Sequence, residues 1–186
     1  MNVLTRPDPA RALYAAIPVL DTGRFLMRGY RPADIAAFTA FYASDRSRFV
    51  AGPLDADLAC RALMTYAGHW HLRGYGRWMV EDKATGATLG NVGLWYPEGW
   101  PEPEIGWTLF DGAEGRGVAH ETALASRDYA YRVLGWSTAI SLIDPANARS
   151  RALAQRLGCA RDGMFSHARF GRMEIWRHPA PQEVRT

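Results

Sequence analysis

Lysine is nearly missing from this chain: Lys83 is the only one, and arginine supplies the rest of the 22 basic residues. A nucleotide loop ending in Gly-Lys-Ser/Thr is therefore excluded, because no glycine precedes that lysine. Cysteine is almost as scarce. Cys60 and Cys159 make no disulfide framework, and they point to a reduced, cytoplasmic compartment. No apolar run reaches the roughly 18 residues of a membrane span. Asp8 and Arg11 break any secretory pattern at the start, so no membrane partner is expected. The net charge of +3 is small and dispersed, which argues against nucleic acid as a partner. His69, His71, His120, His167 and His178 show no metal-ligand spacing, and no catalytic metal is expected. A nucleophile elbow is missing too, which removes the serine- and cysteine-hydrolase readings.

What is present suits one well-packed unit. The chain has 186 residues, 48% of them hydrophobic, enough for a single core, and it shows no internal repeat. Residues 1–20, with Pro7, Pro9 and Pro18, read as an N-terminal extension, 21–178 as the domain and 179–186 as a C-terminal tail. Arg24–Tyr30 reads as a first strand. A helix is expected from Asp34 to about Ala43, with Ile35, Phe38 and Phe41/Tyr42 at helical spacing. A second helix is expected from Asp55 to about Leu72, its apolar face being Leu58, Ala62, Met64/Thr65 and Gly68/His69. Arg77–Asp82, Thr88–Trp95 and Glu104–Phe110 alternate as strands, with Lys83–Ala87 as a hairpin turn. A helix over His120–Leu134, a strand over 137–143, a helix over 147–157 and a hairpin of Met164–Phe170 with Arg172–His178 complete a mixed α/β domain.

Within this order, Glu114-Gly115-Arg116-Gly117-Val118-Ala119 joins a strand to a helix N-terminus. The first amides of a helix lack internal partners, and the helix dipole leaves partial positive charge there. Gly115 and Gly117 let backbone N–H groups close on a ligand, and Arg116 adds a full charge, so the expected ligand is phosphate or pyrophosphate. By itself the turn is equally a tight connection. A Rossmann fingerprint belongs on an early strand of a repeated βαβ pattern, whereas this turn follows consecutive antiparallel strands past the midpoint. Further on, Asp144-Pro145-Ala146-Asn147-Ala148-Arg149-Ser150 opens a helix that closes in Leu157-Gly158.

A glycine-rich turn, a helix, a strand and an Asn-x-x-Ser helix ending in Leu-Gly resemble the GNAT superfamily of N-acetyltransferases, in particular its RimJ/RimL-like branch. The likeness runs from about Thr22 to Trp176, including the Arg28 strand with Asp34 and the Lys83-Ala84-Thr85-Gly86 turn. It implies a central, mostly antiparallel, splayed sheet flanked by helices, and acetyl-CoA as co-substrate. The cradle for the pyrophosphate is then Gly115, Arg116, Gly117, Val118 and Ala119. Thr108, Leu109 and Phe110 offer backbone amides to the pantetheine arm and the thioester carbonyl, and Asn147 and Ser150 lie beside the pantetheine and thiol. Three departures stand out. Glu114 brings an acidic group beside the expected pyrophosphate, and it either points away or pairs with Arg116. Ala154 stands where many relatives carry a tyrosine general acid. Cys159 replaces an aromatic, a packing change.

Transfer to an amine requires a base, since an alkyl ammonium keeps its proton to a pH of about 10. Glu104, on the central strand, is the first candidate; Glu98 and Glu102 compete from the loop 95–103, and a plain strand-end carboxylate is the alternative. With Ala154 unable to serve, Ser150 is the candidate donor to the leaving sulfur, or else a helix cap beside Asn147. The loop's three prolines and its aromatics either wall an acceptor pocket or pack on the extension or a second subunit, which leaves a homodimer open. The expected activity is acetyl transfer to a primary amine, on a small molecule or a protein N-terminus, by direct attack. The competing reading is a non-catalytic acyl-CoA sensor of the same fold.

Overall fold

The computed structural model describes residues 16–183. Most of the expected N-terminal extension, and the last three residues of the tail, lie outside that range. Eight strands form one sheet in the order β1-β2-β3-β4-β5-β6-β8-β7. The strands are β1 (Leu20–Asp21), β2 (Phe25–Arg28), β3 (Arg77–Asp82), β4 (Thr88–Trp95), β5 (Glu104–Leu109), β6 (Ile140–Ile143), β7 (Ala160–His167) and β8 (Gly171–Arg177). Every neighbouring pair is antiparallel except β5 and β6, which run parallel and share one registered pair, Glu104 with Ile140. Beyond that pair the two strands diverge. The sheet is thus mixed, mostly antiparallel and splayed at its centre, as the resemblance implies.

Helix α1 (Asp34–Ala43), a 3₁₀ turn (Asp45–Val50) and α2 (Ala56–Arg73) connect β2 to β3. Helix α3 (Val118–Arg132) makes the crossover from β5 to β6, and α4 (Ala148–Arg156) follows β6. Small buried residues, Ala119, Thr122, Ala123, Ser126 and Ala130, let α3 lie close against β4 and β5. The core is built on Trp78, Phe38, Met27, Leu94 and Ile105, all fully buried. Asp34 opens α1 inside the protein rather than on its surface. Arg28 grips it with two hydrogen bonds of 2.9 Å, and the Arg28 Nε donates to Glu81 at 2.5 Å. This fork-on-carboxylate geometry fixes the first helix to the edge of the sheet.

Helix α2 buries a different face from the expected one. His69 is buried and Ala62 packs on the core as expected, but Ala59, Leu63 and Trp70 join them inside, while Leu58 and Met64 are 49% and 61% exposed. One residue is about 100° around a helix. The choice was made by partners that only the fold provides. Trp70 packs edge-on to Trp78 and donates to the Arg77 carbonyl at 2.7 Å. His69 Nδ1 meets the Tyr75 carbonyl at 2.8 Å, and its Nε2 accepts from the Tyr96 amide at 3.2 Å. Ile35 of α1 is likewise 37% exposed, leaving Phe38, Phe41 and Tyr42 as the buried face. Strand β6 starts at Ile140, so the expected strand at 137–143 is shorter by three residues.

Candidate active site

The departure of β6 from β5 opens a cleft with about 400 Å³ of empty volume. Arg77, Glu104, Trp107, Ser141, Asn147 and Ser150 line it, with Phe49 and Val50 of the 3₁₀ turn. Glu104 and Trp107 leave opposite faces of β5, because strand side chains alternate. Both reach the cleft because the strand edge between them is uncovered.

The same edge sets which amides are available. The Phe110 N–H donates to the Leu89 carbonyl at 2.9 Å. Hydrogen-bonding direction alternates along an antiparallel strand, so Thr108 and Phe110 both address β4, and Trp107 and Leu109 address the open side. Of the three residues expected to offer amides, only Leu109 faces the gap, and Trp107 is the neighbour the sequence reading left out. The Thr108 hydroxyl is buried without a partner.

Glu104 is buried. Its Oε2 accepts from the Trp100 indole at 2.7 Å, and its Oε1 stands 3.9 Å from Arg77 Nη2. Burial pushes its pKa above the ordinary carboxylate range, while Arg77, the Trp100 hydrogen bond and the Leu142 amide pull the other way without overcoming it. Its expected competitors lie elsewhere. Glu98 is almost fully exposed and pairs with Arg73 at 2.6 Å. Glu102 is held by Arg177 through contacts of 2.8 and 2.6 Å, and that bond holds its pKa below the ordinary value. Neither lines the cleft. The loop's aromatics pack within the chain: Trp95 stacks on His69, and Trp100 lies against Phe165, His167 and Phe170 of the β7–β8 hairpin.

Across the cleft, Asn147 caps α4, its side-chain oxygen accepting from the Ser150 amide at 3.1 Å. The Ser150 hydroxyl is not a cap. It accepts from the Trp107 indole at 3.1 Å, which leaves its own proton free to be donated into the cleft. Ala154 is fully buried and cannot contribute chemistry. Cys159 is buried, with its thiol pushed up to about 12 by loss of solvent, and is inert at neutral pH.

At the glycine turn, Gly115 and Gly117 take left-handed backbone angles, φ 74° and 77°. Gly117 is the residue before α3, and among the described residues no side chain caps that helix, which leaves its first amides available to a ligand. A Cβ at Gly117 would come within 3.1 Å of Arg24 Nη2. Arg24 also donates to the Arg116 carbonyl at 3.0 Å and pairs with Glu121 at 2.6 Å, so it braces the turn from outside. Of the two arrangements expected for Glu114, pairing with Arg116 is not the one found. Arg116 pairs with Asp82, not Glu114. Glu114 is held by Arg46, and by Arg149 at 3.4 Å. The reason is reach: Arg46 comes from the 3₁₀ turn and also meets Asp111 and the Leu109 carbonyl, a convergence that has no local sequence signal. Arg77 was missed for a similar reason. An arginine within an alternating strand reads as solvent-facing, and only the packing of β3 beside β4 and β5 buries it.

The comparisons with known proteins agree with this geometry. Residues 24–160 match the acetyltransferase (GNAT) domain model. The crystal structure of an acetyltransferase from Agrobacterium tumefaciens str. C58 superposes with a TM-score of 0.81 at 35% identity, covering 88% of this chain and 95% of that one. An uncharacterized protein of Bacillus subtilis, YkkB, is 36% identical over 98 residues, so the match spans 48% of this chain and only 56% of that protein. Mycobacterium smegmatis RimJ, solved with CoA-disulfide, shares the fold at a TM-score of 0.69 and 15% identity, over 91% of this chain and 89% of its own. A matching domain model over most of the chain, carried by a splayed sheet with a glycine turn at the α3 N-terminus, establishes that the chain belongs to the GNAT acetyltransferase family.

Proposed function

We propose that this acetyltransferase moves the acetyl group of acetyl-CoA to a primary amine by direct attack, with Glu104 as the base. The observation that carries this reading is a buried carboxyl group of raised pKa in the cleft opened by the β5–β6 divergence, with Ser150 on the opposite wall. Members of the family use acetyl-CoA, which supplies the acetyl group as a thioester. The residues present suit it: two left-handed glycines, open amides at the start of α3, and open amides of Trp107 and Leu109 on β5. Gly115, Arg116, Gly117, Val118 and Ala119 would take the pyrophosphate, and Asn147 would keep α4 in place beside the pantetheine arm.

In the reaction, Glu104 takes a proton from the amine as its nitrogen bonds to the acyl carbon. The Leu109 amide is placed to stabilise charge on the acyl oxygen. As the carbon–sulfur bond breaks, the Ser150 hydroxyl donates a hydrogen bond to the departing sulfur, which takes its proton from water. Trp107 holds that hydroxyl in place. The sensor reading loses one of its two supports, because Glu114 is neutralised by Arg46 and Arg149 rather than facing the phosphate site unpaired; the other, Ala154 in place of a tyrosine, is met here by Ser150. We include in the proposal the RimJ/RimL-like branch, on the Arg28–Asp34 pair and the Asn147-x-x-Ser150 helix, and a reducing cytoplasm, in keeping with two free cysteines. Thiol release from acetyl-CoA over an amine panel tests the function, with a melting shift by CoA as the binding readout. CoA stabilisation with amine-dependent thiol release is expected. A shift without release on any amine would favour the sensor, and neither would overturn both.

A further inference from the structure

Arg77 is the cationic group lining the cleft that this mechanism does not use. Its side chain is 8% exposed, and its Nε has no hydrogen-bond partner among the described residues. The guanidinium lies over the Tyr66 ring, 5.1 Å from its centre. On the other side it rests on Gly106, where a Cβ would fall 1.9 Å from Nη2, so glycine at 106 is what admits the arginine. Its one ion pair among the described residues is with Glu104, and at 3.9 Å this is too long for a hydrogen bond. Burial opposes its charge, and the neighbouring Glu104 carboxylate offsets that effect.

Buried charges in folded proteins are paired and hydrogen-bonded, and leaving one incompletely met is unfavourable. Here a buried cation and a buried anion stand side by side on one wall, each lacking full partners. Trp100 occupies one oxygen of Glu104, the Leu142 amide also addresses the carboxylate, and the second oxygen stands 3.9 Å from Arg77. The complement of such a pair is a molecule with an amine and an anion on neighbouring atoms. A simple monoamine would leave Arg77 unmet. A polyamine would set a second cation against it. A protein N-terminus presents an amide in that position.

Resting on the amine-acetylation reading above, we propose that the acceptor is a small α-amino acid or a close analogue, its amine at Glu104 and its carboxylate received by Arg77. Arginine suits the role because its planar fork takes both carboxylate oxygens at once.

The test compares α-amino acids with their carboxamides and with the corresponding decarboxylated amines, using acetyl-CoA and the wild-type protein, rates being referred to the free-amine fraction. One charge-assisted contact predicts a preference of about 10- to 100-fold in kcat/KM for the acid. In Arg77→Met the acid-to-amide ratio should fall toward unity, mainly through KM, with part of it retained in Arg77→Lys. Any effect of Arg77 on Glu104 falls on acid and amide alike and cancels in the ratio. Equal turnover of acid and amide by the wild type refutes the acceptor assignment and leaves the acetyltransfer reading standing. An unchanged ratio in a folded Arg77→Met refutes it equally, and if that variant does not fold, the wild-type panel and Arg77→Lys decide. No acetylation of any amine overturns the underlying reading, and the acceptor assignment with it.

Discussion

Replacing Glu104 by glutamine separates two effects that usually travel together. Glutamine has the shape of the protonated acid and still accepts from Trp100, but it cannot take a proton. Loss of a positioned base lowers kcat by about 10²- to 10⁴-fold, with acetyl-CoA affinity little changed and activity recovering at high pH, where free amine is abundant. The stability effect has the opposite sign from the one an ion pair suggests. At 3.9 Å from Arg77, the carboxylate gains about 4 kcal/mol of attraction in a medium of effective dielectric ~20. Removing it from water costs several kcal/mol. Since its pKa lies above the ordinary value of 4.5, burial is the larger of the two. A carboxylate with a raised folded-state pKa contributes most below pH 4.5, and that contribution is lost as pH rises through the folded value. Glu104→Gln should therefore melt like the wild type near pH 4 and at or above it at pH 7. The gain is about 1.4 kcal/mol, or about 3–5 °C, for each unit by which the folded pKa exceeds the unfolded one. Melting curves at both pH values and single-turnover rates on one preparation make the test. A variant several degrees less stable at pH 7 would refute the burial argument. Near-normal turnover at neutral pH would remove Glu104 as the base.

Trp100→Phe withdraws the hydrogen bond that favours ionised Glu104, so the acidic limb of kcat/KM should move to higher pH; an unmoved limb would mean that Glu104 is not the titrating group. Gly117→Val sets a β-branched residue at φ 77° and directs its side chain at Arg24, and should raise the CoA Kd, measured by calorimetry, with normal binding reducing the turn to a connection. Ser150→Ala should slow the chemical step by about 10²-fold, the lower end for acid–base assistance, with little loss of stability. Asn147→Ala should instead lose about 1 kcal/mol of stability, because it is Asn147 that caps α4. Reversal of these last two signatures in melting and single-turnover data would return Ser150 to a capping role.

The order of elements, the strands from Arg77 to Leu109 and the two ligand-facing motifs were all legible along the chain. Each depends on neighbours in sequence: alternation, glycine where φ is positive, and asparagine ahead of a helix. Glu104 could be singled out because its strand and its place on that strand were legible. What the chain alone could not decide lies where distant segments meet. The buried face of α2 differs from the expected one by a residue, since Trp78 and Tyr96 supply the contacts that orient Trp70 and His69. Thr108 and Phe110 lose their amides to β4, a matter of pairing register rather than residue type. Glu114 and Arg116, two apart in sequence, are drawn to separate partners, Arg46 and Asp82, because side chains pair with whatever charge the fold brings nearest. Arg77 belongs to the same class. Its charge is plain in the sequence, but only the stacking of β3, β4 and β5, with glycine at 106, buries that charge beside Glu104.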